Sequence, residues 1–424
     1  MDNRRQYSRF IAQASAVALG GACLASAFVV AVDPYRLYRL VEKPGFNQVK
    51  PPPERYREEI KLSNAAAIRA NAFIAGNSRA EIGFDPDFAA RHAPGLSFYN
   101  IALSGTDIAT ARRQLHYLRE HGQTPLVTIL GVEFLDFLAH APAAAPEDTH
   151  GTDGWKWKVD ALFSLASLTD AVRTLRIQHA QDPESISPRG HNPLLEYRRY
   201  AREQGYYALF QQRAMENARS YLDKPRSLQA SGKIKGIEDL RALLDASIED
   251  RSALHVVIYP YHAQILAMFE LSGLWPLFDE WKRLLAEEID RANRAHPGQR
   301  LVLWDFSGYS PYHCERIPGK NETTETRWYW EAGHFKQQLG DEVLARVIAP
   351  DSAAASAFGF RLAPGNFEEN RKRIERERAE CAATYPQLFV EARVLIDAAA
   401  SARKLAGRDT APSPLLAGLP RQAD

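Results

Sequence analysis

Short apolar runs alternate with amphipathic stretches along most of the chain. Five of these runs contain few polar positions, and they are residues 72–75, 96–99, 126–130, 254–259 and 301–304. Continuous apolar runs of this length are typical of strands in a parallel sheet, because helices cover both faces of such a sheet. Helical patterns follow the runs, as in 107–120 and 277–294. The alternation therefore predicts a doubly wound α/β fold.

A long segment separates the third predicted strand from the fourth. Residues 131–253 are too many for a simple crossover and contain helical patterns in 155–174 and 194–219, so we expect a helical insertion. The predicted parts of the chain are 1–33, a cytoplasmic tip and transmembrane anchor; 34–70, a stalk and helix; 71–140 with 241–350, the α/β domain; 141–240, the helical insertion; and 351–424, a helical C-terminal tail.

The N-terminal apolar run is longer than the others. Residues 10–32 carry no charge, Arg4, Arg5 and Arg9 precede them, and Asp33 follows them. A helix of this length spans a hydrocarbon core of ~30 Å. Basic residues in front of a span favour a cytoplasmic N-terminus, so we expect a membrane anchor with the rest of the chain outside the cytoplasm.

A cleaved signal peptide is the alternative interpretation of this run. Its cleavage site would be Ala25-Ser26-Ala27, which has the required pattern of small residues. The apolar run is longer than the core of a signal peptide, about 7–15 residues, and this difference favours the anchor.

Composition excludes several classes of function. The chain has 53 Lys and Arg against 52 Asp and Glu, so a net charge of +1 leaves no basic excess for binding a nucleic acid. The content of 45% hydrophobic and 25% charged residues is that of a globular protein. Three cysteines are too few for a disulfide scaffold, and the His and Cys spacing suits no metal, so we expect neither metal nor cofactor.

Two cysteines, Cys314 and Cys381, lie outside the N-terminal apolar run. A disulfide requires their Cα atoms to lie within about 4.4–6.8 Å of each other. Nothing in the sequence brings the two positions together, so we expect both thiols to be free.

Small and polar residues follow each predicted strand. Ligands bind at the carboxyl ends of the strands in such sheets, so these residues are the candidates for a functional site. They are Gly76-Asn77-Ser78-Arg79 after the first strand, Asn100 to Gly105 after the second, Gly131-Val132-Glu133 after the third, Pro260-Tyr261-His262 after the fourth, and Glu331-Ala332-Gly333-His334 at the head of the last helix of the domain.

This order resembles the SGNH (GDSL-type) hydrolase and acyltransferase superfamily. In that family a serine after the first strand is the nucleophile, a glycine after the second strand donates to the oxyanion, and an Asp-x-x-His near the C-terminus completes the triad. Ser78, Gly105 and His334 match these positions, and Glu331 stands where the family usually has Asp.

The resemblance covers residues 71–140 and 250–348 and implies a three-layer α/β fold with a flavodoxin-like parallel sheet. An anchor in front of such a domain is similar to the subgroup that acylates cell-envelope polymers, including the teichoic-acid D-alanylation family. It implies a single-pass protein of the bacterial inner membrane, with most of the chain in the periplasm. The implied activity is a serine O-acyltransferase or esterase acting on an envelope or secreted polysaccharide, and the implied partner is a multi-span membrane protein that exports acyl groups.

Each proposed role has a physical basis and a simpler alternative. A serine at a strand-to-helix turn can attack a carbonyl while its own N–H faces the oxyanion, but Ser78 is alternatively a helix N-cap. Glu331 can hold the His334 imidazole in the required tautomer, but the pair is alternatively a solvated first helical turn. His262 is either a contact to substrate or a capping histidine at a strand end.

The third block departs from the family pattern. The family usually has Gly-x-Asn-Asp there, and its Asn donates to the oxyanion, whereas an ionised Glu133 cannot donate. We expect Asn77 or Asn100 to replace that donor, with Arg79 as a further contact to the substrate. The departure also favours an alternative function, a catalytically weak or inactive carbohydrate-binding or scaffold protein on the same fold.

Overall fold

The central element of the protein is a sheet of six strands. A computed structural model describes residues 2–138, 156–229, 233–350 and 358–409. In chain order the strands are β1 (Ala72–Ala75), β2 (Phe98–Asn100), β3 (Val127–Val132), β4 (Ala253–Ile258), β5 (Leu301–Asp305), β6 (Tyr329–Glu331), β7 (His334–Phe335) and β8 (Phe360–Leu362). The order in the sheet is β2-β1-β3-β4-β5-β8, and β6 and β7 form a separate antiparallel hairpin.

Strands β1 to β5 are parallel, and β8 pairs with β5 in the antiparallel sense. The order 2-1-3-4-5 is that of flavodoxin-like doubly wound sheets. Every residue of β1 and β2 is buried, and because neighbouring side chains point to opposite faces, both faces are covered there. The predicted α/β fold is confirmed, and the five apolar runs match the five parallel strands to within two residues at either end.

Helices connect the strands and extend beyond them. They are α1 (Asp2–Val32), α2 (Arg57–Ala67), α3 (Ser78–Gly83), α4 (Pro86–His92), α5 (Ile108–Glu120), α6 (Lys156–Leu162), α7 (Leu165–Ile177), α8 (Tyr197–Asp223), α9 (Lys235–Glu249), α10 (Ala263–Leu271), α11 (Trp275–Ala295), α12 (Gln337–Ile348), α13 (Phe367–Thr384) and α14 (Pro386–Asp409). The described residues between β3 and β4 contain α6 to α9.

Helix α1 is long and apolar enough to cross a membrane. An 18-residue window within Arg4–Val32 has a mean hydropathy of 2.1, and most of that window is exposed. Only its C-terminal end packs on the domain, where Val29 and Val32 are buried against Ala171 of α7. The side chains of Asn47 and Lys50 donate to the carbonyl oxygen of Val32 at 3.0 and 2.8 Å and so satisfy one of the free carbonyls at the helix end.

The C-terminal part of the chain differs from our expectation in two ways. It adds β8 at the edge of the sheet before its two helices, whereas we expected helices alone. Cys381 on α13 lies beside Cys314, with their Cα atoms 6.0 Å apart, and the two form a disulfide. The expectation of free thiols is therefore wrong, because α13 packs next to the loop that follows β5.

Candidate active site

Ser78 lies at the turn between β1 and α3. Gly76, with φ +140°, ends the strand where a Cβ would come within 2.4 Å of the Tyr259 hydroxyl, so only glycine fits there. Asn77 is the N-cap of α3, because its Oδ1 accepts a hydrogen bond from the Arg79 N–H at 3.0 Å. Ser78 is therefore the first helical residue, and the alternative that it is the N-cap is wrong.

The hairpin of β6 and β7 brings Glu331 and His334 to this serine. The Ser78 hydroxyl donates to His334 Nε2 at 2.9 Å, and His334 Nδ1–H donates to Glu331 Oε1. The Gly333 N–H donates to the other carboxylate oxygen at 2.6 Å and so fixes the tight turn. The expected position at the head of a helix is wrong, because α12 begins at Gln337 and the pair lies on the two strands before it.

Ser78, His334 and Glu331 form a hydrogen-bonded array, and its acid, Glu331, is buried beneath the hairpin. Glu331 is only 2% exposed, and its Oε2 lies 3.4 Å from Nε of Arg213 on α8. Burial, the largest effect, raises the pKa of Glu331, but its interactions with His334, with the Arg213 guanidinium and with the Gly333 N–H together outweigh burial and lower that pKa. The carboxylate therefore stays ionised, as the orienting partner of an imidazole must. The sequence contains no signal for Arg213, which comes from the middle of the insertion.

Two glycines, Gly83 and Gly340, allow the helix of Ser78 to pack closely against the segment that carries His334. A Cβ on Gly340 of α12 would lie 1.7 Å from the carbonyl oxygen of Gly83 at the end of α3. A Cβ on Gly83 would lie 1.8 Å from the ring of Phe335, the residue after His334. Helix α3, which begins with Ser78, therefore packs closely against the segment that carries His334. The Gly83 backbone lies against the Phe335 side chain and against the Gly340 backbone.

Asn100 is not available as an oxyanion donor, contrary to our expectation. Its amide nitrogen donates to the carbonyl oxygens of Ala80 at 2.8 Å and Phe84 at 2.9 Å, and its Oδ1 accepts from the Ala102 N–H at 3.0 Å. The residue is fully buried. Its side chain holds the C-terminal end of α3, so Asn100 positions the helix of Ser78 and does not reach a substrate.

The third block forms an ion pair where the family has an oxyanion donor. The Glu133 carboxylate binds the Arg79 guanidinium and accepts a hydrogen bond from the Tyr261 hydroxyl at 3.1 Å. The Arg79 guanidinium also lies 5.2 Å from the ring centroid of Tyr261, within range of a cation–π contact. The residue next to Ser78 thus neutralises Glu133, and the pair carries no net charge at this edge of the sheet.

Gly105 lies on an exposed loop, with φ +79°. The residue before it, Ser104, is anchored, because both its N–H and its hydroxyl donate to the Glu81 carboxylate, at 2.9 and 2.6 Å. Within the described part of the chain, the Gly105 N–H makes no hydrogen bond. It therefore remains a candidate oxyanion donor, as does the side-chain amide of Asn77.

His262 is a capping residue and not a contact to substrate. It is fully buried, its Nδ1 accepts from the Gln264 N–H at 3.2 Å, and its Nε2–H donates to the carbonyl oxygen of Glu315 at 2.9 Å. Burial lowers the pKa of His262 to about 4, so the ring is neutral. Of the two interpretations of this histidine, the cap at the start of α10 is the right one.

Asp136 is a titratable group at the same edge that sequence analysis did not identify. It lies in the short turn Phe134–Phe137 that follows β3. Burial, reinforced by the charge of Asp107, raises the pKa of Asp136 to about 7, although Arg79 and Lys224 oppose the shift. Its only sequence signal is its place after a strand, which it shares with Glu133.

Neither a metal site among the described residues nor a match to a known protein gives further evidence of function. Among the residues that the structure describes, no group of His, Cys, Asp and Glu side chains could hold a metal ion. No protein-family model matches the chain, and no curated protein sequence matches it. The arrangement of Ser78, His334 and Glu331 is therefore the observation that bears on function.

Proposed function

We propose that the protein is a membrane-anchored, extracytoplasmic serine O-acyltransferase or esterase of SGNH type that acts on an envelope or secreted polysaccharide. The observation that supports the proposal is the hydrogen-bonded array of Ser78, His334 and Glu331, in which His334 Nε2 lies 2.9 Å from Ser78 Oγ. A serine hydroxyl is a weak nucleophile until an adjacent base accepts its proton, and the array provides that base and its orienting acid.

The array accounts for both halves of an acyl transfer. Ser78 Oγ attacks the carbonyl carbon of the acyl donor while His334 Nε2 accepts the hydroxyl proton. The tetrahedral intermediate then expels the leaving group, which takes the proton from the imidazolium, and an acyl ester on Ser78 remains. A sugar hydroxyl attacks this ester as His334 accepts its proton, and the proton returns to Ser78 Oγ as the product ester leaves. Water in place of the sugar makes the same protein an esterase.

The third block provides no oxyanion donor, unlike the family pattern, because Glu133 is a carboxylate paired with Arg79. The Ser78 N–H is available because it lies in the first turn of α3. The Gly105 N–H and the Asn77 side-chain amide are further candidates, whereas Asn100 is committed to the carbonyls of α3. Loss of one donor typically lowers the rate by ~10²–10³. We therefore expect slow hydrolysis, which suits a transferase that must keep its acyl ester from water.

The alternative function is a catalytically weak or inactive carbohydrate-binding or scaffold protein on the same fold. The observation that favours it is the ion pair between Glu133 and Arg79, which occupies the third block of the family pattern. In this alternative the array of Ser78 and His334 is an inherited feature without turnover.

The acyl donor also defines the partner in this proposal. An acyltransferase outside the cytoplasm needs acyl groups that have crossed the membrane, so we include a multi-span acyl-exporting membrane protein as the partner. Helix α1 would hold the two proteins in the same membrane.

A fluorophosphonate probe separates the two functions, because it labels only activated serines quickly. We expect the full chain to be labelled, and Ser78→Ala and His334→Ala each to lose labelling and ~10³-fold or more of polymer acylation in cells. Ser220→Ala, on the exposed face of α8, is the matched control and should keep both properties. Thermal melts of all variants should coincide with that of the natural sequence, since none of the changes removes a core side chain.

A Ser78→Ala protein that folds normally and retains full acylation would remove the enzyme proposal. An unlabelled natural sequence that still binds a polysaccharide would favour the binding or scaffold protein.

A further inference from the structure

A small cavity, open to solvent on one side, lies where the chain leaves α1 and meets α2 and α3. Its lining includes prolines 34 and 51–53 and four charged side chains, Arg36, Arg57, Lys61 and Glu81. None of these residues belongs to the array of Ser78, His334 and Glu331.

The lining of this cavity carries more positive than negative charge. Glu81 is its one lining carboxylate, and it binds Lys61 Nζ at 3.0 Å and Arg57 at 3.3 Å. Arg36 is the third cation, and its nearest carboxylate is Glu42, outside the lining, at 3.7 Å. With Glu42 counted, three cations face two carboxylates, and an anion would balance the one remaining positive charge.

Each of the three cations has a donor that the protein does not use. Arg36 is 8% exposed, and its buried Nε, which lies 3.7 Å from Glu42 Oε1, makes no hydrogen bond within the described part of the chain. Lys61 Nζ donates to the Ala102 carbonyl oxygen and to Glu81, which leaves one of its three N–H groups. Arg57 uses only one guanidinium nitrogen. A buried donor without an acceptor is costly, so the Nε of Arg36 in particular points to a ligand with oxygen acceptors.

The cavity lies at the level where a membrane would end. Its first lining residue, Pro34, is two residues beyond Val32, the last residue of α1. When α1 spans the bilayer, this cavity therefore lies in the head-group region. Guanidinium and ammonium groups together are the side chains that proteins use to bind phosphate.

We propose that this cavity binds a phosphate-type anion, and that the phosphate comes from the head group of an anionic phospholipid. Arg57 and Lys61 then hold the phosphate oxygens, and Arg36 Nε provides the buried donor. The binding is independent of the proposed acyl transfer, so Ser78→Ala should leave it unchanged.

The test uses the full chain in an uncharged maltoside detergent. Inorganic phosphate and dihexanoyl-phosphatidylglycerol are titrated separately, binding is measured by calorimetry and thermal melts, and dihexanoylglycerol serves as the ligand without phosphate. We expect both phosphate compounds to bind saturably and to compete, and dihexanoylglycerol not to bind. Arg57→Gln should weaken both affinities about tenfold or more, because it removes a charge-assisted donor. The matched control Arg55→Gln removes the same charge from an exposed position outside the cavity and should change neither.

Each outcome of this test is decisive. Binding of inorganic phosphate without binding of the lipid, with the same dependence on Arg57, supports the anion site and overturns the head group as its source. Absence of binding by both compounds, or an equal loss in Arg55→Gln and Arg57→Gln, overturns the site itself.

Discussion

Arg213 joins the helical insertion to the buried acid of the candidate site. Its Nε lies 3.4 Å from Glu331 Oε2, and its charge helps to lower the pKa of Glu331. Arg213→Gln should therefore raise the pKa of Glu331. When the solution is acidified, the carboxylate should then become protonated at a higher pH. We therefore expect the acid limb of the pH–activity profile to move to higher pH. The measurement is kcat/KM for ester turnover between pH 4 and 9.

Arg219→Gln is the control for this change, because Arg219 is exposed on the same helix. Its profile should coincide with that of the natural sequence. A uniform fall in rate for Arg213→Gln, with no movement of the acid limb, would assign Arg213 a purely structural role.

At this scale the sequence predicts which residues lie at the strand ends but not what each one contacts. Ser78, Glu331 and His334 are candidates because of their order along the chain, and the structure places the three side chains in one hydrogen-bonded array. Asn100 and His262 have the same kind of sequence signal. Their hydrogen bonds go to backbone carbonyls of other segments, and those partners depend on the tertiary packing.

Among the elements, α3 is held at its C-terminal end by the side chain of Asn100. Asn100 ties the carbonyl oxygens of Ala80 and Phe84 to the end of β2. Asn100→Leu keeps a similar volume but leaves these buried groups without partners, so we expect a loss of about 2–4 kcal/mol in the free energy of unfolding. Urea denaturation measures it. Asn366→Ala, which also removes contacts to two backbone groups but at a partly exposed site, should cost much less, because water replaces the lost partner.

The disulfide between Cys314 and Cys381 ties α13 to the loop that follows β5. It closes a loop with a sequence separation of 67 residues, for which chain entropy predicts a stabilisation of about 4 kcal/mol. The double variant Cys314→Ser and Cys381→Ser should therefore unfold at a lower denaturant concentration than the natural sequence. Reducing agent should destabilise the natural sequence to the level of this variant and leave the variant unchanged. Equal stability of all four samples would contradict the expected effect.

Strand burial explains why some elements are predictable and others are not. The five parallel strands are apolar at nearly every position, since helices cover both faces, and their sequence signal is strong. The edge strand β8 buries only Leu362 of its three residues, and the hairpin strands β6 and β7 have three and two residues. Segments this short show no period, so the sequence places Glu331 and His334 on the following helix instead.

For the whole molecule, the sequence of α1 leads to a prediction about the compartment that the domain occupies. The apolar stretch of α1 and the arginines in front of it predict that the domain lies outside the cytoplasm. A tag at the C-terminus should be digested by protease added to intact spheroplasts, and the protein should remain in the membrane fraction after a carbonate wash. Protection of the tag until the membrane is lysed would contradict this topology, and release of the domain by the wash would favour the cleaved signal peptide.

The separation of Ser78 and His334 along the chain has a consequence for biosynthesis. The two side chains meet across 256 residues, and the whole insertion is translated between them. At about 5–20 residues per second, a ribosome needs roughly 13–50 s to pass from the serine codon to the histidine codon. During that time the emerging Ser78 lacks the base of the proposed acyl transfer, so under that proposal the nascent chain is inactive until His334 has been translated and the two residues have met.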